Sequence, residues 1–430
     1  MKIYKAHLLF TKERDRFEVI ENGFIAVENG CVSGVYSSLP DHLKDAPLTD
    51  FGDCLLIPAM NDMHVHAPQY RNQGIAMDLE LLPWLDNYTF PEESKYADIE
   101  YAERMYRRFV RDLWRFGTMR TVAFATIHRE STRLLMRLFQ EAGMGALVGK
   151  VDMNRNSSDA LTESVDDAIR DNEALIEEFN RPGALVRPII TPRFVPSCTP
   201  EMLHACGELA KKYNLPVQSH LSENLGEIAW VRELEPESRN YGDAYNRYGL
   251  FGQTPTIMAH CVWTEGEELE LMKHNHVMVA HCPTSNMNLS SGMASVRTFL
   301  ENNIPVGLGS DISGGHDLSI FKMMVYAIQV SKMRYRQSIA ENKKSEKNSV
   351  KPFLTLSEVF WIATKSAGSF FGKVGSFEPG YEFDALVIDD RDLNHDNYSL
   401  LHRLERYVYL GDDRQITHRF CRGREVRFEK

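Results

Sequence analysis

Between residues 58 and 375 the chain repeats one alternation: a short β-branched or apolar run, then a longer amphipathic stretch. The runs cover 55–66, 118–126, 146–153, 185–194, 216–220, 256–260, 276–281 and 304–311. Helical periodicity fills much of the space between them, at 99–116, 131–142, 164–179, 200–213, 266–274 and 293–302. A helix after a strand carries the chain back to the strand's starting end, so successive strands run parallel. Eight such strands predict an α/β fold of the (β/α)8 TIM-barrel type over 58–375. No internal sequence repeat lies behind the alternation.

The flanks read differently. Residues 1–57 are β-like, with Glu28-Asn29-Gly30 placed as a hairpin turn. After Phe377, the string EPGYEFDALVIDD and the segment 407–428 again look like strands. The two ends, 1–57 and 376–430, are expected to combine in one small β domain beside the barrel. A lysine-rich stretch at 343–351 is expected to be a solvated loop.

The formal net charge is −11 and the pI about 5.8. That balance argues against a nucleic-acid partner, since phosphate binding needs concentrated Lys and Arg. No apolar stretch is long enough to predict a membrane span, and the N-terminus lacks the pattern of a secretory signal. Seven scattered cysteines without a C-x-x-C pair point to a reduced, cytoplasmic protein.

The chemistry gathers at the ends of the runs. His64 and His66 end the first, two residues apart and so on one face of a strand. His220 ends the fifth run and His260 the sixth; His281 stands at the end of the seventh, and Asp311 ends the eighth. One buried histidine at a strand end is commonplace. Five runs ending this way in barrel order are harder to explain blandly, because strand C-termini meet at the active-site face. His64, His66, His220 and Asp311 give three nitrogens and one oxygen, a set suited to zinc with a position left for water, or to iron. Such a metal lowers the pKa of its water to roughly 7 and yields hydroxide near neutral pH. Glu223, three residues past His220, is placed to shuttle a proton without being a ligand; its other reading is a helix-capping or surface carboxylate. His260 is a plausible partner for the water. No lysine ends a run in a pattern suggesting a carbamylated bridge, so one metal is expected rather than two.

Other residues are candidates to read a substrate. Gln69 follows the histidine pair and offers both a donor and an acceptor. Arg193 ends the fourth run and presents a planar donor fork, which suits a carbonyl and a ring nitrogen together, as on the O6 and N7 edge of guanine. Phe194 and Trp84 supply stacking faces. Each has a plainer alternative: a structural ion pair for Arg193, a solvated loop for Gln69, the core for Trp84.

The strings PAMNDMHVHAPQY, DLELLPWLDNYTFP, TPRFVPSC, SHLSEN, MAHC, AHCPTSNMNLSSG and GLGSDISGG occur in that order over about 58–320. In them the chain resembles the amidohydrolase superfamily and, within it, the guanine deaminase group. The resemblance implies a (β/α)8 barrel beside a small β-sandwich, one catalytic zinc and a homodimer. It implies hydrolysis of guanine to xanthine and ammonia, with hydroxide attacking C2. It places the metal on His64, His66, His220 and Asp311, the proton shuttle on Glu223, and the base on Gln69, Arg193 and Phe194, with His220 and Glu223 also facing it. His260 orients the water and Asp311 accepts a proton from it. The sequence departs from the group at Ala59, at Cys261 and at His316-Asp317-Leu318. Two rivals remain: a deaminase of a related ring such as 8-oxoguanine or a triazine, and a non-catalytic scaffold.

Overall fold

The computed structural model describes residues 1–341, 352–394 and 396–428. The lysine-rich stretch at 343–351 lies outside them.

The chain opens with β1 (Lys2–Phe10), β2 (Glu18–Glu28), β3 (Cys31–Tyr36) and β4 (Leu48–Pro58). Asn29 and Gly30 form the two-residue turn between β2 and β3. Both have positive φ, 50° and 81°, which matches the twist of a tight hairpin. The parallel strands follow: β5 (Met60–His66), β6 (Thr118–Phe124), β7 (Gly145–Gly149), the short β8 (Val151–Asp152), β9 (Val186–Pro188), the short β10 (Thr191–Pro192), β11 (Val217–Leu221), β12 (Thr256–His260), β13 (Met278–His281) and β14 (Val306–Leu308). β15 (Ala385–Ile388), β16 (Ile416–Cys421) and β17 (Arg424–Glu425) complete the set.

Two four-stranded parallel sheets form, β5-β6-β7-β9 and β11-β12-β13-β14. A parallel bridge between Ile190 and Val217 links the first to the second. At the other side Asp311 N donates to His64 O at 2.8 Å and His66 N donates to Ile312 O at 3.1 Å. Residues just past β14 are thereby hydrogen-bonded back to β5. Helices such as Ile99–Arg115, Arg129–Ala142, Val165–Phe179 and Pro200–Tyr213 follow the strands. They bury one apolar face in a core that includes Phe109, Phe139, Val148, Leu203 and Val279.

The N- and C-terminal strands share one seven-stranded sheet, ordered β17-β16-β15-β4-β1-β2-β3. Its own apolar cluster includes Tyr4, Phe377, Phe383 and Phe420. The C-terminal segment differs from expectation at one place. Residues 407–410 end a helix, Leu400–Leu410, capped by the Ser399 side chain; only β16 and β17 follow as strands. Leu404, Tyr407 and Val408 recur at helical spacing on its buried face, and that period outweighs the β propensity of the Tyr and Val residues. The seven-stranded sheet is clamped to β6 by Arg120, whose Nε donates to Asp384 Oδ2 at 2.5 Å and whose fork also meets Glu382.

Candidate active site

His66 and His220 sit on β5 and β11, and His260 on β12. Asp311 follows β14; His66, His260 and Asp311 are buried and His220 is partly buried. The turns that carry the polar groups are unusual: Ser222, His260, Cys261 and Asp311 have φ of 47°, 71°, 49° and 48°. Left-handed backbone at non-glycine residues is uncommon and costly, and it concentrates at functional sites. Close approach also demands glycine at 309. A Cβ there would lie 2.8 Å from Cys282 Sγ and 2.9 Å from His64 Cβ.

Four groups face one another at short range. His66 Nε2 is 3.1 Å from His220 Nε2. Asp311 Oδ1 is 3.2 Å from His64 Nε2 and 3.6 Å from His66 Nε2. Bonds of about 2.0–2.1 Å to a four-coordinate zinc put neighbouring ligand atoms about 3.3 Å apart, so the spacing suits one ion. Protonation fits as well. Burial, then the neighbouring imidazole of His64, holds His66 and His220 well below the usual histidine range. Burial also lowers His64. The rings are therefore neutral. His220 Nδ1–H donates to Arg193 O at 2.6 Å, which fixes the tautomer and leaves the Nε2 lone pair facing inward. His64 Nε2 and His66 Nδ1 make no hydrogen bond among the described residues. For Asp311, burial alone would raise the pKa, but His64 and His260 outweigh it and keep the carboxylate ionised.

Glu223 lies beside this cluster. Its helix, Leu225–Leu234, is capped by Asn224 and Glu227. Glu227 Oε2 accepts from Glu223 N at 3.0 Å. Glu223 itself does no capping; its carboxyl turns inward, accepting from Ser291 Oγ at 2.9 Å and lying 3.5 Å from His260 Nε2. Burial raises the Glu223 carboxyl despite the pull of His260. His260 moves up because Glu223 and Asp311 overcome the lowering effect of burial. Its Nδ1–H donates to Asn286 Oδ1 at 2.9 Å, so Nε2 faces Glu223 and Asp311. Ser291 and Asn286 stand in the motif AHCPTSNMNLSSG, but nothing in their spacing points to these partners.

A cavity opens above the cluster, lined by His66, Gln69, Arg193, Phe194, His220, Glu223, Glu227, His260 and Asp311, with Leu81, Trp84, Leu85 and Leu289 on its apolar side. Trp84 is buried and its Nε1 donates to Ile75 O at 3.4 Å. Gly314 also lines the cavity, where a Cβ would lie 2.5 Å from Ser285 Oγ. Arg193 is ion-paired: Nη1 and Nη2 donate to Glu93 at 2.5 and 3.0 Å. Gln69 Nε2 donates to the same carboxylate at 2.8 Å. His281 is buried with neither ring nitrogen bonded among the described residues, and it does not line the cavity. Lys150 directly follows β7, a strand-end lysine that the sequence reading passes over. Its ammonium is held by Asp152 and Glu163, at 2.9 and 2.5 Å, and not by the histidine cluster. The divergent His316 is tied to the loop after β5, its carbonyl accepting from Gln73 Nε2 at 2.8 Å.

The chain belongs to the amidohydrolase family: the model of that family matches residues 55–426. Its full-length relatives carry a narrower description. The guanine deaminase of Dictyostelium discoideum is 36% identical over 454 residues, covering 100% of this chain and 98% of that protein. The mouse (Mus musculus) guanine deaminase is 37% identical, covering 99% of this chain and 93% of that one. The crystal structure of guanine deaminase from C. acetobutylicum, with guanine bound in its active site, is 51% identical with a TM-score of 0.95, covering 99% of each chain.

Proposed function

We propose that this chain is a metal-dependent guanine deaminase, which hydrolyses guanine to xanthine and ammonia. One observation carries the reading. The inward nitrogens of His66 and His220, together with Asp311 and Glu223, line the same cavity as Gln69 and Arg193. His64, His66, His220 and Asp311 would hold one divalent ion, zinc by the chemistry of the donor set or iron as the alternative. Such an ion, when bound, would supply Lewis acidity and a water whose pKa lies at roughly 7.

The protein's own groups do the rest. Gln69 and Arg193 hold the ring so that C2 faces the histidine cluster, and Phe194 packs on it. Trp84, Leu81 and Leu289 exclude bulk water. Glu223, raised by burial, takes a proton from the attacking water and passes it to N3 as the C2–O bond forms. Asp311 takes the second proton, with His260 Nε2 alongside. That second proton passes to the amino nitrogen, the C2–N bond breaks and ammonia leaves, while the first proton stays on N3 of xanthine. On this reading the two parallel sheets make one closed (β/α)8 barrel over 58–375, and 1–57 with 376–430 make the small β-sandwich. A cytoplasmic homodimer is the expected assembly.

The test is xanthine formation from guanine before and after chelation. Activity is expected to vanish with the metal and return with zinc. A chain that binds no metal, or that forms xanthine equally well without it, overturns the reading. A guanine site also rejects adenine by about 10⁴ or more, because the Arg193 donors would face another donor.

A further inference from the structure

Glu93 ends the short helix Phe90–Glu93 and is 1% exposed. It does not line the cavity; it lies behind two residues that do. One oxygen accepts from Arg193 Nη1, and the other accepts from both Arg193 Nη2 and Gln69 Nε2. The far side of the Gln69 amide is fixed too, since Oε1 accepts from Ser313 N at 3.1 Å. These bonds settle three things at once. Gln69 cannot flip, so its spare N–H is a donor held in place. Arg193 has five N–H groups and spends two on Glu93; the rest have no protein partner among the described residues. The guanidinium also lies 5.1 Å over the Phe90 ring, so it cannot tilt freely. Finally, the charge of Arg193, itself 3% exposed, is cancelled inside the protein.

We propose that Glu93 is the positioning residue that sets which ring edge this pocket accepts. It turns Gln69 and Arg193 into a fixed pair of N–H donors without net charge, which selects an uncharged ring carrying acceptor atoms on one edge. This rests on the reading that Gln69 and Arg193 hold a purine. A glutamine at 93 would set its own NH2 against an Arg193 N–H, donor against donor, and release the fork.

The test uses metal-loaded protein and two ligands that have no 2-amino group to lose. Hypoxanthine keeps O6, and purine lacks it. Calorimetry on the wild type is expected to show hypoxanthine bound tighter than purine by about tenfold or more. In Glu93→Gln the ratio is expected to fall to about threefold or less, with metal content unchanged. Glu93→Asp keeps the charge but retracts it by one methylene. It guards against loss of folding in the first variant, and the same fall is expected. No preference in the wild type, or the wild-type ratio in either folded, metal-loaded variant, overturns the proposal. A preference that falls as expected, in a protein that makes no xanthine from guanine, leaves Glu93 in this role and removes the proposed reaction instead. Xanthine formation with an unchanged ratio does the opposite.

Discussion

Two buried polar clusters lie at strand ends in this molecule, and they are built on opposite principles. Around Lys150 every capacity is used. The ammonium has three donors and meets Asp152 Oδ1, Glu163 Oε1 and Val151 O. Asp152 also accepts from Asn172 Nδ2 at 2.7 Å and from Cys206. Around His64 the capacity is left over. His64 Nε2 has no hydrogen bond among the described residues, yet it lies 3.2 Å from Asp311 Oδ1, and His66 Nε2 faces His220 Nε2 at 3.1 Å. A saturated buried network rigidifies a fold, whereas an unsatisfied one is expensive and calls for an explanation. The comparison says that charge and burial do not mark an active site. Unspent bonding capacity, aimed at a common point, does.

The sharpest way to break the contrast is to mutate one side and measure the property assigned to the other. Glu223→Gln keeps the shape of the shuttle and removes its acid. It should lower kcat for xanthine formation by about 10²–10⁴, while bound metal and the thermal midpoint stay as in the wild type. Loss of stability without loss of turnover would merge the two clusters into one kind. Lys150→Met is the mirror experiment. It leaves Asp152 and Glu163 buried without their cation, at a cost of about 3–5 kcal/mol. Chemical denaturation should register that cost, and the protein that remains folded should still bind metal.

Glu227 sharpens the comparison because it lines the cavity yet is fully bonded, to Tyr241 OH and to the backbone of Glu223 and Asn224. Burial first, then the Glu223 carboxyl, pushes it up to about 7 from a usual 4.5. A carboxyl raised on folding contributes stability that is complete below pH about 4.5 and is lost as pH climbs through about 7, on the order of 3 kcal/mol in all. Glu227→Gln should flatten the fall of the thermal midpoint between pH 5 and 8. An equally steep fall in the variant would show that Glu227 ionises freely.

Much of this was legible in the chain. The eight runs coincide with strands because β-branched content and the helical period between them are local signals. His64, His66, His220, His260 and Asp311 were legible because strand ends share a face. Partner choice was not. Glu93 finds Arg193 at a separation of 100 residues, Ser291 finds Glu223 at 68, and no local pattern encodes either meeting. Lys150 was missed for the same reason: what makes it structural is Glu163, beyond a loop. The helix Leu400–Leu410 was misread because its Tyr and Val residues favour strands, and only their spacing says otherwise.

The links between the first and last parts of the site have a consequence for how the protein is made. Ser310 bonds to Asp62, Ser313 to Gln69 and His316 to Gln73, each across more than 240 residues. β4, formed from residues 48–58, has β1 on one side and β15 on the other. A nascent chain emerging N-terminus first therefore carries His64 and His66, half of the proposed metal ligands, long before His220 and Asp311 exist. It also exposes β4 as an open edge until residues 385–388 leave the ribosome, an invitation to wrong pairing. Synthesis that stalls before Asp311 yields neither a finished pocket nor a protected sheet, and a stall between 316 and 385 supplies every residue that lines the cavity but leaves β4 open.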